Sequence, residues 1–463
     1  MSISNILNIG RHSLGAHRGA MELASQNAAN VGTVGYSRRR GTLSSLGVGA
    51  GRNMASGSQF GQSRRVIDAL SNRSVRTAQA EIGFHNGRRT ALETIEAIVA
   101  PEGDGLASAM DGFFNSFNRL STNPGGTTER RSVVDQAQRF VDELHNTYEQ
   151  LDGLRKPLAN AARDKVSTIN ELSAQVAEIN GTLAATEAGG VEASQLRDDR
   201  DMALDQLASM TGGRIIEHQD GTVSVTMRGG ASLVSGDRSS TLEVSEADGQ
   251  LQLTLQGPEN GPKVDIETSN AGGELSGIFK AHNEDVGQAM AALDSLAMNF
   301  ATAFNEVHEQ GVGLDGQAGR PFFSGVDDPN SAARNISINA DIVDDPGAIA
   351  ATRDPNALPG GSELAVELAG LREQPIDGLD GLTVEGALGQ IQIGAGQKID
   401  ETYDRLDSAE AKGSVFEGIR ESTRGVSLDE ELADLMKFQR GFEAASRIVK
   451  SADELMQTVL SLV

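Results

Sequence analysis

The sequence contains no cysteine and no tryptophan, and aromatic residues make up only 4% of it. Without cysteine there is no disulfide framework, no thiolate zinc site and no cysteine nucleophile. The chain also lacks an apolar run of about 18 residues, so no membrane-spanning helix is predicted. Residues 2–10 have neither the basic start nor the apolar length of a cleavable signal peptide. These absences favour a cytoplasmic protein, or one exported by a route that reads an uncleaved N-terminus.

Acidic residues outnumber basic ones by 65 to 40, which gives a net charge of −25. Nucleic acid is therefore not expected as the main partner, because phosphate binding needs a basic face. The charge is uneven, since residues 1–65 carry eight arginines and a single acid, Glu22. A basic arm can bind nucleic acid or a membrane. No cluster of aromatic residues accompanies this one, and we expect neither partner.

Both ends of the chain predict long helices with an apolar residue at every seventh position, the spacing of a helix that packs along another helix. Near the N-terminus, in about residues 2–31, the repeat consists of Leu7, Leu14 and Met21. In residues 427–463 the first position of the repeat is held by Leu428, Leu435, Phe442, Val449 and Met456. The second position is held by Phe438 and Val459, with two alanines between them.

The start of the last helix is sharply marked. Ser427 is a good N-cap, and Glu430 three residues later completes a capping box. Terminal helices whose apolar surface is not used in a core are typical of chains that finish folding inside an assembly.

The middle of the chain combines helical and strand patterns. Heptad patterns in 137–183 and 286–307 predict core helices of a long rod, and Pro157 predicts a break in the first of them. Residues 212–275 alternate apolar and polar residues around two turn pairs, Asp220-Gly221 and Asp248-Gly249. A further short strand is predicted in 336–342.

These patterns predict an elongated α+β fold, with long, coiled-coil-like terminal and rod helices and an inserted, mostly β domain. The length of 463 residues suggests about three domains of roughly 150 residues each. We assign a terminal helical assembly domain with a linker to 1–60 and 427–463, a helical rod to 61–211, 276–316 and 391–426, and a β-rich outer domain to 212–275 and 317–390.

Three motifs suggest chemistry, but each has a simpler structural explanation. GVGLDG, residues 311–316, follows a helix instead of a strand, so its glycines predict a helix end and a turn, not a dinucleotide site. His308-Glu309 lacks the second histidine of a zinc motif. LRDDRD, residues 196–201, predicts a solvated salt-bridge face of a helix, since acid–base work needs carboxylates in a cleft. We expect no enzymatic activity, no metal and no cofactor.

A family resemblance begins with ASQNAANVGTVGYSRRR, residues 24–40. This stretch resembles the N-terminal signature of the bacterial flagellar axial proteins, which comprise the rod, hook and hook-associated proteins. The matching positions are Asn27, Asn30, Thr33, Gly35 and Tyr36. That family usually has proline before the Gly-Tyr pair, where this chain has Val34.

Longer blocks narrow the resemblance to the hook-associated protein 1 family, the first hook–filament junction proteins. The similar blocks are INELSAQVAEINGTL at 169–183, SQLRDDRDMALDQLA at 194–208, the stretch from GGELSGIF to GRPFF at 272–323, and GVSLDEELADLMKFQRGFEAASRIVKSADELMQTVL at 425–460. The chain departs from the family at Val312 and Gly313, where an aspartate is usual.

The resemblance implies a structural subunit that is exported unfolded through the flagellar type III channel and assembles outside the cell at the hook–filament junction. The implied partners are the hook protein, the second junction protein, further copies of the chain, and a cytoplasmic chaperone that holds the C-terminal helix. The terminal helices would pair as the inner layer of a tube. Two alternatives remain open: a hook or rod subunit of the same organelle, and a secreted coiled-coil adhesin.

The resemblance also gives a reason for the segment between Asn27 and Arg40. Asparagines and glycines would end the inner helix, Tyr36 would anchor the turn, and a loose basic linker would follow. Residues 38–40, three arginines, are expected to contact acidic neighbours or the chain's own rod.

Overall fold

A computed structural model describes residues 3–45, 57–101, 103 and 105–461, and most of these residues are helical. In chain order the helices are α1 (Ile3–Ala29), α2 (Ala69–Val99), α3 (Leu106–Thr122), α4 (Thr127–Gly153), α5 (Arg155–Glu187), α6 (Ser194–Thr211), α7 (Gly273–Lys280), α8 (Val286–His308), α9 (Ala332–Asn335), α10 (Ala340–Asp344), α11 (Glu363–Gly370), α12 (Val384–Arg424) and α13 (Leu428–Ser461). The 41 residues of α12 make a helix about 60 Å long at ~1.5 Å per residue, as an elongated rod requires.

The strands are short. In chain order they are β1 (Arg39–Ser45), β2 (Ser58–Arg65), β3 (Arg214–Glu217), β4 (Val223–Thr226), β5 (Ser232–Ser235), β6 (Arg238–Ser239), β7 (Thr241–Ala247), β8 (Gln250–Gln256), β9 (Lys263–Ile266), β10 (Phe323–Ser324) and β11 (Ser337–Ile338). β1 pairs with β2 and β10 with β11, while β3 to β6 and β7 to β9 form two antiparallel sheets in chain order. The α+β prediction is confirmed.

Local signals in the sequence located several boundaries correctly. Asp248 and Gly249 both have positive φ, 53° and 70°, as a two-residue type I′ turn requires, and they join β7 to β8. The predicted break near Pro157 lies at Leu154, between α4 and α5. Proline is tolerated in the first turn of the new helix because the N–H that it lacks has no helical partner there.

The larger core cluster joins α3, α4 and α8 with parts of α2, α11 and α12. At its centre eight phenylalanines lie in contact, with ring centroids of contacting pairs 4.8 to 6.0 Å apart: Phe113, Phe114, Phe117, Phe140, Phe300, Phe304, Phe322 and Phe323. Most pairs are tilted or edge-to-face, the arrangement that the quadrupoles of the rings favour. The heptads of 137–151 and 286–307 point into this cluster, as predicted for core helices.

Residues 317–390 also belong to this helical cluster, and this differs from their predicted place in the β-rich domain. Buried apolar residues along the segment, among them Phe322, Ile336, Ile342 and Leu364, pack with α3, α4 and α8. The predicted strand 336–342 is reduced to the two residues of β11, and α10 follows it. The segment is rich in glycine, proline and aspartate and has no sheet pattern of its own, so its many buried apolar residues determine where it packs.

The second core cluster lies between α5, α6, α7 and the strands β4 to β9. Buried valines and leucines alternate along β4 and β8, with Val223, Val225, Leu251 and Leu253 facing the helices. The β-rich part of 212–275 is therefore a cover on the rod helices, and its core is shared with them.

At the end of α8, His308 is buried in the first cluster and forms two hydrogen bonds. Its Nδ1 donates to the carbonyl of Arg320 at 2.7 Å, and its Nε2 accepts the N–H of Ala350 at 3.0 Å. This pattern needs a neutral ring. Burial, together with the nearby charges of Arg320 and Arg130, lowers the pKa of His308 from 6.5 to about 4.

The pKa of His308 predicts a loss of stability in mild acid. The unfolded ring takes up a proton below its ordinary pKa, while the folded ring resists protonation down to about pH 4. Its contribution is therefore complete above pH 6.5 and is lost as the pH falls towards 4, by about 3 kcal/mol. Urea unfolding at a series of pH values should show His308→Gln losing less free energy of unfolding across this window than the wild type.

The control for this test is Ile342→Val, which trims the same cluster without removing a titrating group. It should lower the free energy of unfolding by about 1 kcal/mol at every pH. Parallel curves for the wild type and His308→Gln would contradict the assignment of a neutral buried ring.

Candidate functional site

Helices α1 and α13 lie against each other, and small residues make their contact. The buried apolar residues of the pair are Ala16, Ala20, Ala24, Ala445 and Ala452. Gly10 lies at a close approach, because a Cβ on it would lie 2.6 Å from Cγ2 of Val449. Gly441 plays the same part against the ring of His17. Side chains at these glycines would push the two helices apart.

The predicted seam residues surround this contact but are not fully buried by it. Seven of them are half-buried: Leu7, Leu14, Met21, Leu435, Phe438, Phe442 and Val449. Three are exposed: Leu428, Met456 and Val459. The heptads indicated which helices meet. Of the buried residues, Ala445 and Ala452 are the two alanines at the second heptad position of α13, whereas Ala16 and Ala20 of α1 lie outside the predicted repeat.

The described part of α13 leaves a large apolar surface in water. The exposed large apolar side chains on it are Leu428, Leu432, Met436, Ile448, Leu455, Met456, Val459 and Leu460. The end of the predicted repeat, at 462–463, lies outside the described residues. Exposed apolar side chains in this number mark a site for a partner.

Asn27 connects the end of α1 to the start of α13. Its side-chain nitrogen donates to the carbonyl of Arg39 at 2.9 Å and to Oε2 of Glu431 at 3.1 Å. Its side-chain oxygen accepts the hydroxyl of Tyr36 at 2.8 Å and the N–H of Arg39 at 3.1 Å. The amide is 2% exposed, so all four bonds form away from water, where an unpaired polar group is costly.

The turn after α1 uses the other residues of the N-terminal signature. The N–H of Thr33 donates to the carbonyl of Asn30 at 3.0 Å, and the N–H of Tyr36 donates to the carbonyl of Thr33 at 3.2 Å. Gly35 has φ of +83°, as the third position of a type II turn requires. The exposed Val34 occupies the second position, where proline is common. Burial raises the pKa of the Tyr36 hydroxyl, against the nearby charge of Arg39, which keeps it a donor.

Two of the three arginines that follow the turn contact acids, as predicted. Arg38 is paired with Glu430 at 2.5 Å and with Glu431 at 2.7 Å, both in the first turn of α13. Arg39 lies 3.8 Å from Asp198 on α6. Consecutive residues thus reach the terminal helix and the rod.

The predicted cap of α13 is half formed. The hydroxyl of Ser427 lies 3.5 Å from the N–H of Glu430, and the carbonyl of Ser427 accepts the N–H of Glu431 at 3.0 Å. The carboxylate of Glu430, predicted to reach back to the cap, binds Arg38. The acids at this helix start therefore have a tertiary role.

The motif at 196–201 is the centre of a buried ion network, so the predicted solvated face is wrong. Asp198 and Arg200 are 2% and 1% exposed. Three arginines from β2, α2 and α12 bind the aspartates of α6 at 2.7 to 3.2 Å, in the pairs Arg65–Asp198, Arg65–Asp201, Arg76–Asp201, Arg76–Asp205 and Arg420–Asp205.

The same network accounts for these carboxylates without catalysis. Burial opposes the ionisation of Asp201, but the charges of Arg65 and Arg76 outweigh it and lower the pKa of this carboxyl group. A general acid or base near neutral pH would need the opposite shift. These ion pairs join β2, α2 and α12 to α6.

The predicted loose linker is in part a hairpin. β1 and β2 pair from Arg39 with Arg65 to Ser45 with Ser58, with an irregularity near Gly41. Phe60 lies over Gly41 and also packs against Gly19 of α1. Glycine and serine gave the segment a linker-like composition. Phe60 packs it on α1, and the hydroxyl of Ser58 donates a hydrogen bond to that of Ser13 at 3.2 Å. Residues 46–56, the rest of the predicted linker, lie outside the described residues.

Among residues 3–45, 57–101, 103 and 105–461, no cluster of three or more potential ligand side chains is placed to hold a metal ion. None of the helices in these ranges has the length and hydropathy to cross a membrane.

Comparison with known proteins supports one family along most of the chain. Residues 92–323, half of the chain, match the model of the flagellar hook-associated protein FlgK helical domain. Residues 422–462 match the flagellar basal body rod FlgEFG protein C-terminal model.

Individual relatives agree with this result. Flagellar hook-associated protein 1 of Bacillus subtilis is 27% identical over 98% of this chain and 97% of its own length. Its namesake in Salmonella typhimurium is 27% identical over 74% of this chain, which spans 64% of that protein. The flagellar hook junction protein FlgK of Burkholderia pseudomallei has a similar fold, with a TM-score of 0.50 and 24% identity over 54% of this chain and 46% of that one. The chain belongs to the flagellar hook-associated protein FlgK family.

Proposed function

We propose that this chain is a non-enzymatic structural subunit of the hook–filament junction, and that it assembles through α1 and α13. The observation that carries the proposal is the apolar surface of α13, which α1 leaves exposed. The family to which the chain belongs supplies the context, a bacterial flagellum. Packing of α13 against neighbouring copies would remove this surface from water at roughly 25 cal/mol per Å².

The proposed partners follow the same logic. On one side the subunit would meet the hook protein, on the other the second junction protein, and laterally further copies of itself. Before export a cytoplasmic chaperone would cover α13, because its exposed leucines and methionines would otherwise aggregate. The chain would leave the cell unfolded through the flagellar type III channel. The absence of cysteine suits a chain that unfolds and refolds in this way.

A second candidate is a hook or rod subunit of the same organelle. The match of residues 422–462 to the rod-protein model favours it. This match covers only the terminal helix and its start. The longer match over the helical rod favours the junction subunit. A secreted coiled-coil adhesin, the remaining alternative, would not need α13 for assembly.

The role of α13 can be tested with Phe442→Asp combined with Val449→Asp. Both residues are half-buried beside α1, and an unpaired carboxylate there costs several kcal/mol, while each ~1.4 kcal/mol is a tenfold change in an equilibrium. We expect the amount of this chain in isolated flagella to fall at least about tenfold and chaperone binding to be lost. The rod should keep its unfolding transition, since it has its own core clusters.

The matched control is Gln439→Asp with Ser451→Asp, which adds the same charge at exposed positions of the same helix. These changes should leave assembly close to that of the wild type. Loss of the rod transition in Phe442→Asp/Val449→Asp would contradict an independently folded rod. Normal assembly of that variant would remove α13 from the mechanism.

Asn27→Asp tests whether the hydrogen bonds of Asn27 hold α1 and α13 on the rod. The aspartate keeps the two accepted bonds but cannot donate to Arg39, and it places a second negative charge beside Glu431. We expect a local loss of about 2 kcal/mol, seen as roughly 30-fold faster hydrogen exchange at the N–H groups of Arg38 and Val66 in the full chain.

Asn30→Asp, the same change one turn later on a more exposed side chain, should alter exchange much less. Acidification that protonates the new carboxyl group at position 27 should partly restore slow exchange. Equal exchange rates in the wild type and Asn27→Asp would show that the attachment of α1 and α13 to the rod does not depend on the side-chain amide of Asn27.

A further inference from the structure

Beside the ion network of α6, a groove of about 570 Å³ runs between α2, α6 and the strands β3 and β4. Its floor is apolar and consists of Ala80, Leu204, Ile215 and Val223. The groove continues into a second hollow of about 410 Å³ between α2 and α7, and Thr77 and Arg228 border both. Two exposed isoleucines, Ile67 and Ile216, lie along its edge.

The rim of the groove carries more positive charge than the chain itself neutralises. Arg65, Arg76 and Arg200 line it, and each is bound to aspartate or to neighbouring polar groups. Three more arginines line it and are exposed: Arg73, Arg214 and Arg228. None of these three guanidinium groups has an ion-pair partner within the described parts of the chain.

Arginines without ion-pair partners above an apolar floor fit one kind of occupant, a helix that carries a row of apolar residues bordered by acidic residues. The chain has an overall charge of −25, so an unneutralised arginine cluster stands out on it. Nucleic acid or a free phosphate would use the arginines and leave the apolar floor and the two isoleucines without a role.

The first turns of α13 have the matching surface. Leu428, Leu432 and Met436 recur every four residues and are exposed, so they form one row along the helix. Asp429 is exposed and Asp434 half-buried beside that row. The chain's own α13 contributes no residue to the lining of the groove.

The groove and the start of α13 are linked by a short series of contacts. Arg38 binds the first turn of α13, Arg39 approaches Asp198, and Arg65, which lines the groove, binds Asp198 as well. Copies arranged side by side around an axis would bring these two surfaces towards each other. This is a heterologous contact, which closes into a ring if the rotation between copies permits.

We infer that the arginine groove receives the start of α13, residues 428–436, from a second copy of this chain. This inference rests on the proposed function, because it needs lateral neighbours in an assembly. It goes further by assigning the two faces of the lateral contact. The later part of α13 remains available for the inner layer.

The absence of cysteine makes a cross-linking test clean. Two full-length variants, Arg214→Cys and an epitope-tagged Asp429→Cys, are expressed together in cells that lack their own copy, and isolated flagella are oxidised with copper phenanthroline. We expect a disulfide-linked tagged dimer only when both variants are present. Each variant alone, and Asp344→Cys on α10 combined with Asp429→Cys, should give no such dimer.

Charge reversal provides a second measurement. Arg73→Glu with Arg214→Glu should lower the amount of chain in isolated flagella at least about fivefold, and adding Asp429→Lys and Asp434→Lys to the same chain should restore most of it. Arg131→Glu with Arg139→Glu, two exposed arginines of α4, is the matched control and should assemble normally.

Normal assembly of the groove variant, together with no dimer above the single-variant background, would overturn the groove contact and leave the junction subunit intact. Absence of even the wild-type chain from isolated flagella would overturn the proposed function and this contact with it. Cross-linking that survives the charge reversal without loss of assembly would rule out the arginines as the recognition element.

Discussion

Three aspartates of α6 hold together parts of the chain that lie far apart in sequence. They bind arginines from β2, α2 and α12. Arg39, which follows the turn after α1, lies 3.8 Å from one of these aspartates, Asp198. Removing one partner from such a buried set leaves an uncompensated charge, at a cost of about 3–5 kcal/mol. The network therefore makes the positions of these elements mutually dependent, and the direction in which the terminal helices leave the rod depends on it.

The molecule divides its apolar residues between two uses. The phenylalanine cluster and the second cluster under the sheets bury nearly all of their members, so the rod carries its stability within one chain. The terminal pair buries mainly alanines instead, which contribute little apolar area, and leaves its large side chains half-buried or exposed. This distribution of buried and exposed apolar residues supports the proposed assembly through α13.

Sequence reasoning worked best where the cause of a structure is local. Heptad spacing located α1, α8 and α13, and the Asp248-Gly249 pair located a hairpin, because helix period and turn geometry act over a few residues. It failed where residues that are distant in sequence determine whether a side chain is buried. The aspartates of 196–201 were predicted to lie on a solvated face, and they are buried because Arg65 and Arg76 pack against them.

By itself, the sequence determined the long helices, the hairpin turn at Asp248-Gly249, the α+β class, and the resemblance to one family. Tertiary structure alone decided that residues 317–390 join the helical core, that β1 and β2 form a hairpin on α1, and that spare arginines line a groove. The physical reason is the same in each case. Burial and ion pairing depend on which surfaces meet, and the residues that meet here, such as Phe60 and Gly19 or Asn27 and Glu431, are separated by tens to hundreds of positions.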